Sequence, residues 1–246
     1  MKRYLFALTS FCLAVSILAA GDESIVYDGT TYVIPAPSGF VRYDQSFPQL
    51  AEPTKKAIAS FNDLLSAYAR QDDLLKVQTK AKASLGLTCQ VQATRSLHGI
   101  EVGSTEFGQI KDQMKSNYKS FDMSGMLSQS ENALSDYIQK EMHTGGGLKL
   151  NQPQLTEVFD DRPNSLSFTV VVNVKVTGNG ENKTIPGVSI GSIVNVHKRA
   201  INLYCATQYN GPESIQEAKT VLAQWRDQVL QANSDTANNP APAMAN

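Results

Sequence analysis

The chain has 246 residues, of which 41% are hydrophobic and 18% charged, a composition typical of a globular protein, and its length suits one large domain or two small ones, with one domain favoured. Its formal net charge is −1, and its densest basic run is only the triplet His197-Lys198-Arg199. Proteins that bind the phosphate backbone carry a basic excess or a dense cationic stripe, so we expect no nucleic-acid partner.

The N-terminus predicts export. Lys2 and Arg3 precede an apolar run from Tyr4 to Ala20, and small residues end that run, which is the pattern of a secretory signal peptide. We predict a signal peptide over residues 1–21 and a mature chain that begins at Asp22. An uncleaved N-terminal anchor is the alternative.

The predicted cleavage changes the charge and the expected compartment. It removes two of the 22 basic residues and leaves 20 against 23 acidic ones, a net charge of −3. No later segment reaches the roughly 18 uninterrupted apolar residues that a spanning helix needs. We therefore expect a periplasmic or secreted protein without stable membrane insertion after signal cleavage.

The first element of the mature chain is a predicted β-hairpin. Two short strands flank Asp28-Gly29, the pair best suited to the positive φ angles of a type I′ turn. With Tyr27 opposite Thr30, one face of the hairpin collects the apolar side chains. These are Ile25, Tyr27, Tyr32 and Ile34.

The next segment predicts a helix, because the apolar period changes from two to between three and four at Pro53. Its apolar stripe consists of Ala57, Ile58, Phe61, Leu64, Leu65 and Tyr68. The acidic pair Asp72-Asp73 follows, and paired carboxylates suggest acid/base chemistry or a metal site. Adjacent helical residues point about 100° apart and no third ligand follows, so we interpret the pair as a solvated helix end.

A second alternating segment, residues 84–93, predicts a half-buried strand with Cys89 on its apolar side. Ser104 is then the expected N-cap of a helix whose apolar face carries Phe107, Ile110 and Met114. A further helix is predicted from Ser124 to Met142, and a run of three glycines ends it.

The most regular alternation in the chain is Ser165–Val176, which predicts the central strand of an antiparallel sheet. Every second residue from Leu166 onward is apolar and is expected to face the core. Ser165, Ser167 and Thr169 point the other way, so we expect that face to be polar and less well covered.

The remainder of the chain predicts two hairpins, a helix and a tail. Turns at residues 177–182 and 197–199 connect antiparallel strands, the last of which carries Cys205 on its apolar face. After Gly211 an amphipathic helix begins, with an apolar stripe of Ile215, Ala218, Leu222, Trp225 and Val229. Residues 234–246 are small and polar, and we predict a disordered tail.

Residues 22–233 are therefore predicted to form a single α+β domain, with a mainly antiparallel sheet flanked by helices. The order of these elements resembles the PsbP-like α/β/α sandwich family of exported bacterial proteins of unknown function. The resemblance rests on Tyr27-Asp28-Gly29, on residues 32–40, on Phe107-Gly108-Gln109-Ile110-Lys111, on the strand Leu166–Val176 and on the helix Pro212–Leu230. It implies an accessory, assembly or binding role and transfers no catalytic residue.

The chemically reactive side chains predict one covalent link and no cofactor. Cys89 and Cys205 are the cysteines that remain after signal cleavage, and we predict a disulfide between them, with two separate buried thiols as the alternative. His98, His143 and His197 show no metal-ligand spacing, so any zinc site would have to be assembled by the fold. We assign no catalytic, cofactor-binding or metal-binding residue.

The sequence leaves three functional hypotheses. The first is an exported, non-enzymatic accessory or binding protein of the bacterial cell envelope, with an envelope protein or a small ligand as its partner. The second is a hydrolase in which the fold brings one of the histidines next to a carboxylate. The third is an inhibitor or immunity-type protein, which requires an exposed apolar or acidic patch.

Overall fold

The computed structural model describes residues 23–58, 60–79, 85–117, 128–132, 135–136, 147–151, 154–178 and 181–234. The predicted signal peptide, His143 and the tail beyond Ser234 lie outside these residues. Of the helix predicted from Ser124 to Met142, residues 128–132 and 135–136 are described and are helical.

The strands are β1 (Glu23–Tyr27), β2 (Thr30–Ile34), β3 (Phe40–Arg42), β4 (Asn62–Arg70), β5 (Thr88–Thr94), β6 (Gly147–Leu150), β7 (Gln154–Arg162), β8 (Ser165–Gly178), β9 (Glu181–Val196) and β10 (Arg199–Gln208). The helices are α1 (Pro48–Ile58), α2 (Gln71–Gln78), α3 (Ser104–Asn117) and α4 (Pro212–Ser234), and a short 3-10 helix spans Arg95–Leu97.

An antiparallel sheet of eight strands organises the molecule. Its order is β3-β4-β5-β10-β9-β8, and β6 and β7 both pair with β8. The β1–β2 hairpin forms a separate two-stranded sheet. Helices cover both faces of the large sheet, so the predicted α+β architecture, an antiparallel sheet flanked by helices, is confirmed.

One face of the sheet, which we call the disulfide face, packs against α4 and the β1–β2 hairpin. Trp225 of α4 is fully buried there and meets the ring of Tyr68 edge to face, with 5.6 Å between the centroids. The predicted stripe of α4 is confirmed, since Ala218, Leu222 and Val229 are also fully buried. This cluster is the main hydrophobic core.

The other face, which we call the α3 face, has two smaller apolar clusters. At the β4 end, α1 and α2 pack against Ala67 and Ala69. At the β8 end, Phe107 of α3 packs against Phe168 and Ile193, which confirms the predicted apolar face of this helix. Between the two clusters the strands carry buried polar side chains such as Gln92 and Asn202.

The β1–β2 hairpin confirms its predicted turn and register. Asp28 and Gly29 have φ angles of 51° and 71°, and Tyr27 lies opposite Thr30. The β9–β10 hairpin turns in the same way, because His197 and Lys198 have φ angles of 51° and 58°.

The expectation of a poorly covered polar face on β8 is wrong. Leu166 and Phe168 are buried as predicted, but Ser165, Ser167 and Thr169 are no more than 2% exposed on the opposite side. The reason is α4, which covers the disulfide face and contributes a buried arginine that donates a hydrogen bond to Ser167. Alternation reports side-chain polarity, and it does not report whether another element covers the polar side.

The helix predicted from Pro53 to Tyr68 is also wrong. The helix α1 begins earlier, at Pro48, and ends at Ile58, so residues 53–58 are helical as predicted, whereas residues 62–70 form the strand β4. This strand lies between β3 and β5 and pairs with both. The hydrogen bonds and burial gained from two neighbouring strands outweigh a local apolar period of helical type.

Candidate functional site

The two cysteines lie directly opposite each other on neighbouring strands. Cys89 of β5 pairs in register with Cys205 of β10, with 4.1 Å between the Cα atoms and 2.03 Å between the sulfurs. Both side chains are fully buried on the disulfide face. The structure thus places the predicted pair at disulfide distance, inside the core.

Of the two histidines that the structure describes, His98 and His197, the fold brings His98 next to a carboxylate. Its Nε2 lies 3.3 Å from Oδ1 of Asp28, and its ring meets that of Tyr27 edge to face at 5.7 Å. His197 lies at the tip of the β9–β10 hairpin, with its ring 6.4 Å from that of Tyr32. Asp28 therefore becomes the first candidate for a functional carboxylate.

Asp28 connects three separate parts of the chain. Its Oδ2 accepts a hydrogen bond from the backbone N–H of Gly99, at 2.6 Å, and lies 3.4 Å from Nη1 of Arg199. The side chain of Asp28 is 14% exposed, so these contacts are partly shielded from water. The carboxylate docks the tip of the first hairpin onto the 98–99 turn and the start of β10.

A second carboxylate lies beside the first, on β4. The hydroxyl of Tyr27 donates to Oδ2 of Asp63 at 3.0 Å, and Nε of Arg95 donates to Oδ1 at 2.8 Å. Burial, together with the hydrogen bond to Asp63, raises the pKa of Tyr27 to about 12. The phenol therefore stays protonated at neutral pH and acts as a donor.

We call these side chains the Asp28–Asp63 cluster. Its members are Tyr27, Asp28, Asp63, Arg95, His98 and Arg199. A small cavity of about 10 Å³ between Tyr27, Asp28 and Arg199 has room for a single water molecule. A larger one, of about 220 Å³, opens beside Asp63 and Arg95.

The larger cavity is lined by residues of α1, β4 and the 3-10 helix. Its walls are Lys55 of α1, Asn62, Asp63 and Leu64 of β4, and Arg95. Asn62 is 7% exposed, and its amide Nδ2 donates to Oε1 of Gln92 at 2.6 Å. The site thus offers cations, an amide and an apolar wall, which are binding groups.

Sequence reasoning missed a buried arginine on the disulfide face. Arg226 of α4 is 1% exposed, donates to Oγ of Ser167 at 2.9 Å and pairs with Asp160 and Asp227. Oγ of Ser167 also lies 3.1 Å from that of Ser192. The sequence gives no signal for this arrangement, because Arg226 follows Trp225 at a position that the helical period leaves ambiguous.

Asp161, the residue after Asp160, contacts α3 on the opposite face of the sheet. Asp161 accepts hydrogen bonds from Lys111 and Lys115 of α3, at 2.7 and 2.8 Å, and these bonds lower the pKa of its carboxyl group. Successive strand residues point to opposite faces, so Asp160 anchors α4 while Asp161 anchors α3. Both aspartates have a structural role.

The acidic pair Asp72-Asp73 lies in the first turn of α2, the helix end at which carboxylates are favourable. Asp73 accepts a hydrogen bond from the N–H of Gly86 at 3.1 Å. The described parts of the chain contain no group of three or more His, Cys, Asp or Glu side chains that could hold a metal ion. A search of the same residues finds no helix with the length and apolarity to cross a membrane.

Comparison with known proteins assigns no family. No protein-family model matches the chain, and no curated protein matches it. Among solved structures, the chain is similar to the Ran-binding protein Mog1p of Saccharomyces cerevisiae, with 10% sequence identity over 88% of this chain and 94% of that chain. The TM-score is 0.28, and we draw nothing about function from it. The resemblance to the PsbP-like family stays a prediction.

Proposed function

We propose that this chain is an exported, non-enzymatic accessory or binding protein of the bacterial cell envelope, periplasmic or secreted. Its partner is an envelope protein or a small ligand. The observation that supports binding is the Asp28–Asp63 cluster, where both carboxylates are held by donors of the protein itself and Asp63 lines a cavity of about 220 Å³. Charges that neutralise one another next to a cavity favour recognition over proton transfer.

Two features support the export part of the proposal. The residues before Asp22 have the pattern of a signal peptide, and Cys89 and Cys205 lie at disulfide distance, which fits an oxidising compartment. Mass analysis of the protein from the exported fraction should find a mature start at Gly21 or Asp22. Intact N-termini recovered only from the cytoplasm or the membrane would contradict the proposal.

The binding part is tested in the compartment where it is expected to operate. A C-terminally tagged full chain is cross-linked in living cells, purified from the envelope fraction and compared with a tagged, unrelated exported protein. We expect partners specific to this chain, or a raised melting temperature in a metabolite screen. If repeated trials give neither a specific partner nor a raised melting temperature, the proposal of a binding function is contradicted.

A hydrolase is the second candidate, and the contact between His98 and Asp28 is the observation that favours it. A carboxylate that orients an imidazole is half of a general-base arrangement. The nearby Tyr27 hydroxyl is a poor nucleophile, because it donates to Asp63 and its pKa is raised to about 12. A panel of ester, amide and glycoside substrates tests this candidate. Turnover that disappears in His98→Ala would establish the hydrolase.

A further inference from the structure

The larger cavity beside the Asp28–Asp63 cluster has the size of a small organic ligand. Its volume of about 220 Å³ equals roughly seven water molecules, at about 30 Å³ each. This lies just below the usual range for sites of drug-sized ligands, which begins at about 300 Å³. The cavity therefore fits a compact molecule rather than a cofactor or a peptide.

The charges around this cavity favour an anion. Lys55 and Arg95 contribute two positive charges, and Asp63 contributes one negative charge. The oxygens of Asp63 already accept hydrogen bonds from Tyr27 and Arg95, so this carboxylate is occupied. The walls together carry a net charge of +1, which one negative charge on a ligand neutralises when it replaces Glu52, the residue outside the walls that lies 3.7 Å from Lys55.

Lys55 is available to a ligand. Its Nζ lies 3.7 Å from Glu52, and both side chains are 41% exposed. An exposed ion pair of this kind contributes little to stability, so a ligand anion competes with it easily. Arg95 adds a half-exposed guanidinium, whose Nε and Nη2 contact Asp63 and whose Nη1 remains for a ligand oxygen.

The remaining lining residues, Asn62 and Leu64, indicate which other groups a ligand would need. The amide nitrogen of Asn62 has two hydrogens, and its bond to Gln92 uses one of them. Leu64 adds an apolar surface. A ligand with a charged end, a compact apolar body and an acceptor for the amide would complement all of these groups.

We propose that this cavity binds a small monocarboxylate with an apolar body, held by Lys55 and Arg95 at its charged end and by Leu64 along its body. The proposal rests on the binding function proposed above and names the ligand class. A monoanion is favoured over a phosphate dianion, because the net charge is +1 and the Asp63 carboxylate repels a second negative charge.

The test titrates the mature, disulfide-bonded protein with benzoate, followed by the backbone amide signals in NMR spectra. We expect saturable shifts at residues 62–64 and at Arg95. Benzamide has nearly the same shape without the charge, and it should bind at least about tenfold more weakly, as the loss of a charge-assisted hydrogen bond implies. Equal binding of the two compounds, or tighter binding of inorganic phosphate, would overturn the carboxylate class.

A pair of variants locates the site. Lys55→Gln should weaken benzoate binding by about tenfold or more and leave the melting temperature unchanged. Lys56→Gln is the matched control, because Lys56 is the exposed next residue of α1 and does not line the cavity. Equal losses in the two variants, or no shift at residues 62–64, would refute the site.

The benzoate experiment and the partner-capture experiment can fail independently of each other. A chain that captures an envelope partner but shows no benzoate shifts retains its binding role and loses this ligand site. A chain that binds benzoate in the cavity, and loses that binding only in Lys55→Gln, has the site whatever its compartment.

Discussion

At the scale of single residues, Arg226 shows how burial determines the contribution of a charged side chain to stability. It is buried between α4 and the sheet, pairs with Asp160 and Asp227 and donates to Ser167. Removing one partner of a buried ion pair leaves the other without compensation, whereas removing an exposed pair costs little. The burial of an arginine in the fold therefore determines how much it contributes to the free energy of unfolding.

The prediction at this scale compares two arginines that share the same aspartates. Arg226→Met should lower the free energy of unfolding by about 1–3 kcal/mol, because Ser167 loses its donor and the partly buried Asp160 keeps only the exposed Arg162 as its cation. Arg162 also pairs with Asp160 and Asp227, but its side chain is 45% exposed, so Arg162→Met should cost about 1 kcal/mol or less. Urea unfolding measures both, and equal costs would contradict the structural role of Arg226.

At the scale of elements, the first hairpin is attached to the last helix through its backbone. The amide of Asn233 accepts from the N–H of Val33 at 2.9 Å and donates to the carbonyl of Val33 at 2.7 Å. The indole N–H of Trp225 donates to the carbonyl of Pro35 at 2.7 Å. Side chains of α4 thus satisfy backbone groups at the end of β2.

Replacing Asn233 tests this attachment. Asn233→Ala should destabilise the protein by about 1–3 kcal/mol, because buried backbone groups of Val33 lose their partner. Hydrogen exchange of the Val33 amide should accelerate at the same time. Gln231→Ala, at an exposed position of the same helix, is the control and should change neither quantity. An unchanged exchange rate in Asn233→Ala would show that the hairpin does not depend on the amide.

The contact between α3 and β7 predicts a pH dependence. The hydrogen bonds from Lys111 and Lys115 lower the pKa of Asp161 below its ordinary value of 3.8. A lowered pKa in the folded state stabilises the protein above the ordinary value, and that contribution disappears as the pH falls from 3.8 through the lowered pKa. Asp161→Asn should therefore lose stability at neutral pH and show a shallower acid transition.

The control for that experiment is Asp112→Asn. Asp112 pairs with the same Lys115 at 2.9 Å, but it is 77% exposed and remains within α3. Its replacement should leave the acid transition unchanged, since it does not connect two elements. Denaturant midpoints over a pH series measure both variants, and identical curves for Asp161→Asn and the wild type would contradict the prediction.

At the scale of the whole molecule, the core joins distant parts of the chain. The main hydrophobic core contains residues of the first hairpin, β5, β10 and α4. Cys89 and Cys205 connect the same region across a sequence separation of 116 residues. Folding must therefore bring the first hairpin and α4 together before this core is complete.

The disulfide should contribute strongly to stability because its loop is long. Chain entropy gives about 5 kcal/mol as an upper limit for a loop of this size. Reduction should lower the unfolding midpoint of the wild type, and the double variant Cys89→Ala/Cys205→Ala should not respond to the reductant. Two free thiols in denatured, unreduced protein from the exported fraction would show that the bond does not form.

Local patterns in the sequence determined the elements that depend on local chemistry. The Asp28-Gly29 turn, the apolar face of α3, the stripe of α4 and the placement of Cys89 and Cys205 on apolar faces all follow from turn geometry or side-chain period. The α+β fold class followed from these elements, because alternating strands and amphipathic helices bury their apolar sides only against one another.

The tertiary structure alone decided the rest. Residues 62–70 form a strand because β3 and β5 offer hydrogen bonds that no local pattern reveals. The polar side of β8 is buried because α4 packs on it and contributes Arg226, which is 59 residues from Ser167 in the sequence. The Asp28–Asp63 cluster unites a turn, a strand and a 3-10 helix. The contacts of this cluster join residues that are far apart in the sequence, so the spacing of these residues along the chain does not predict them.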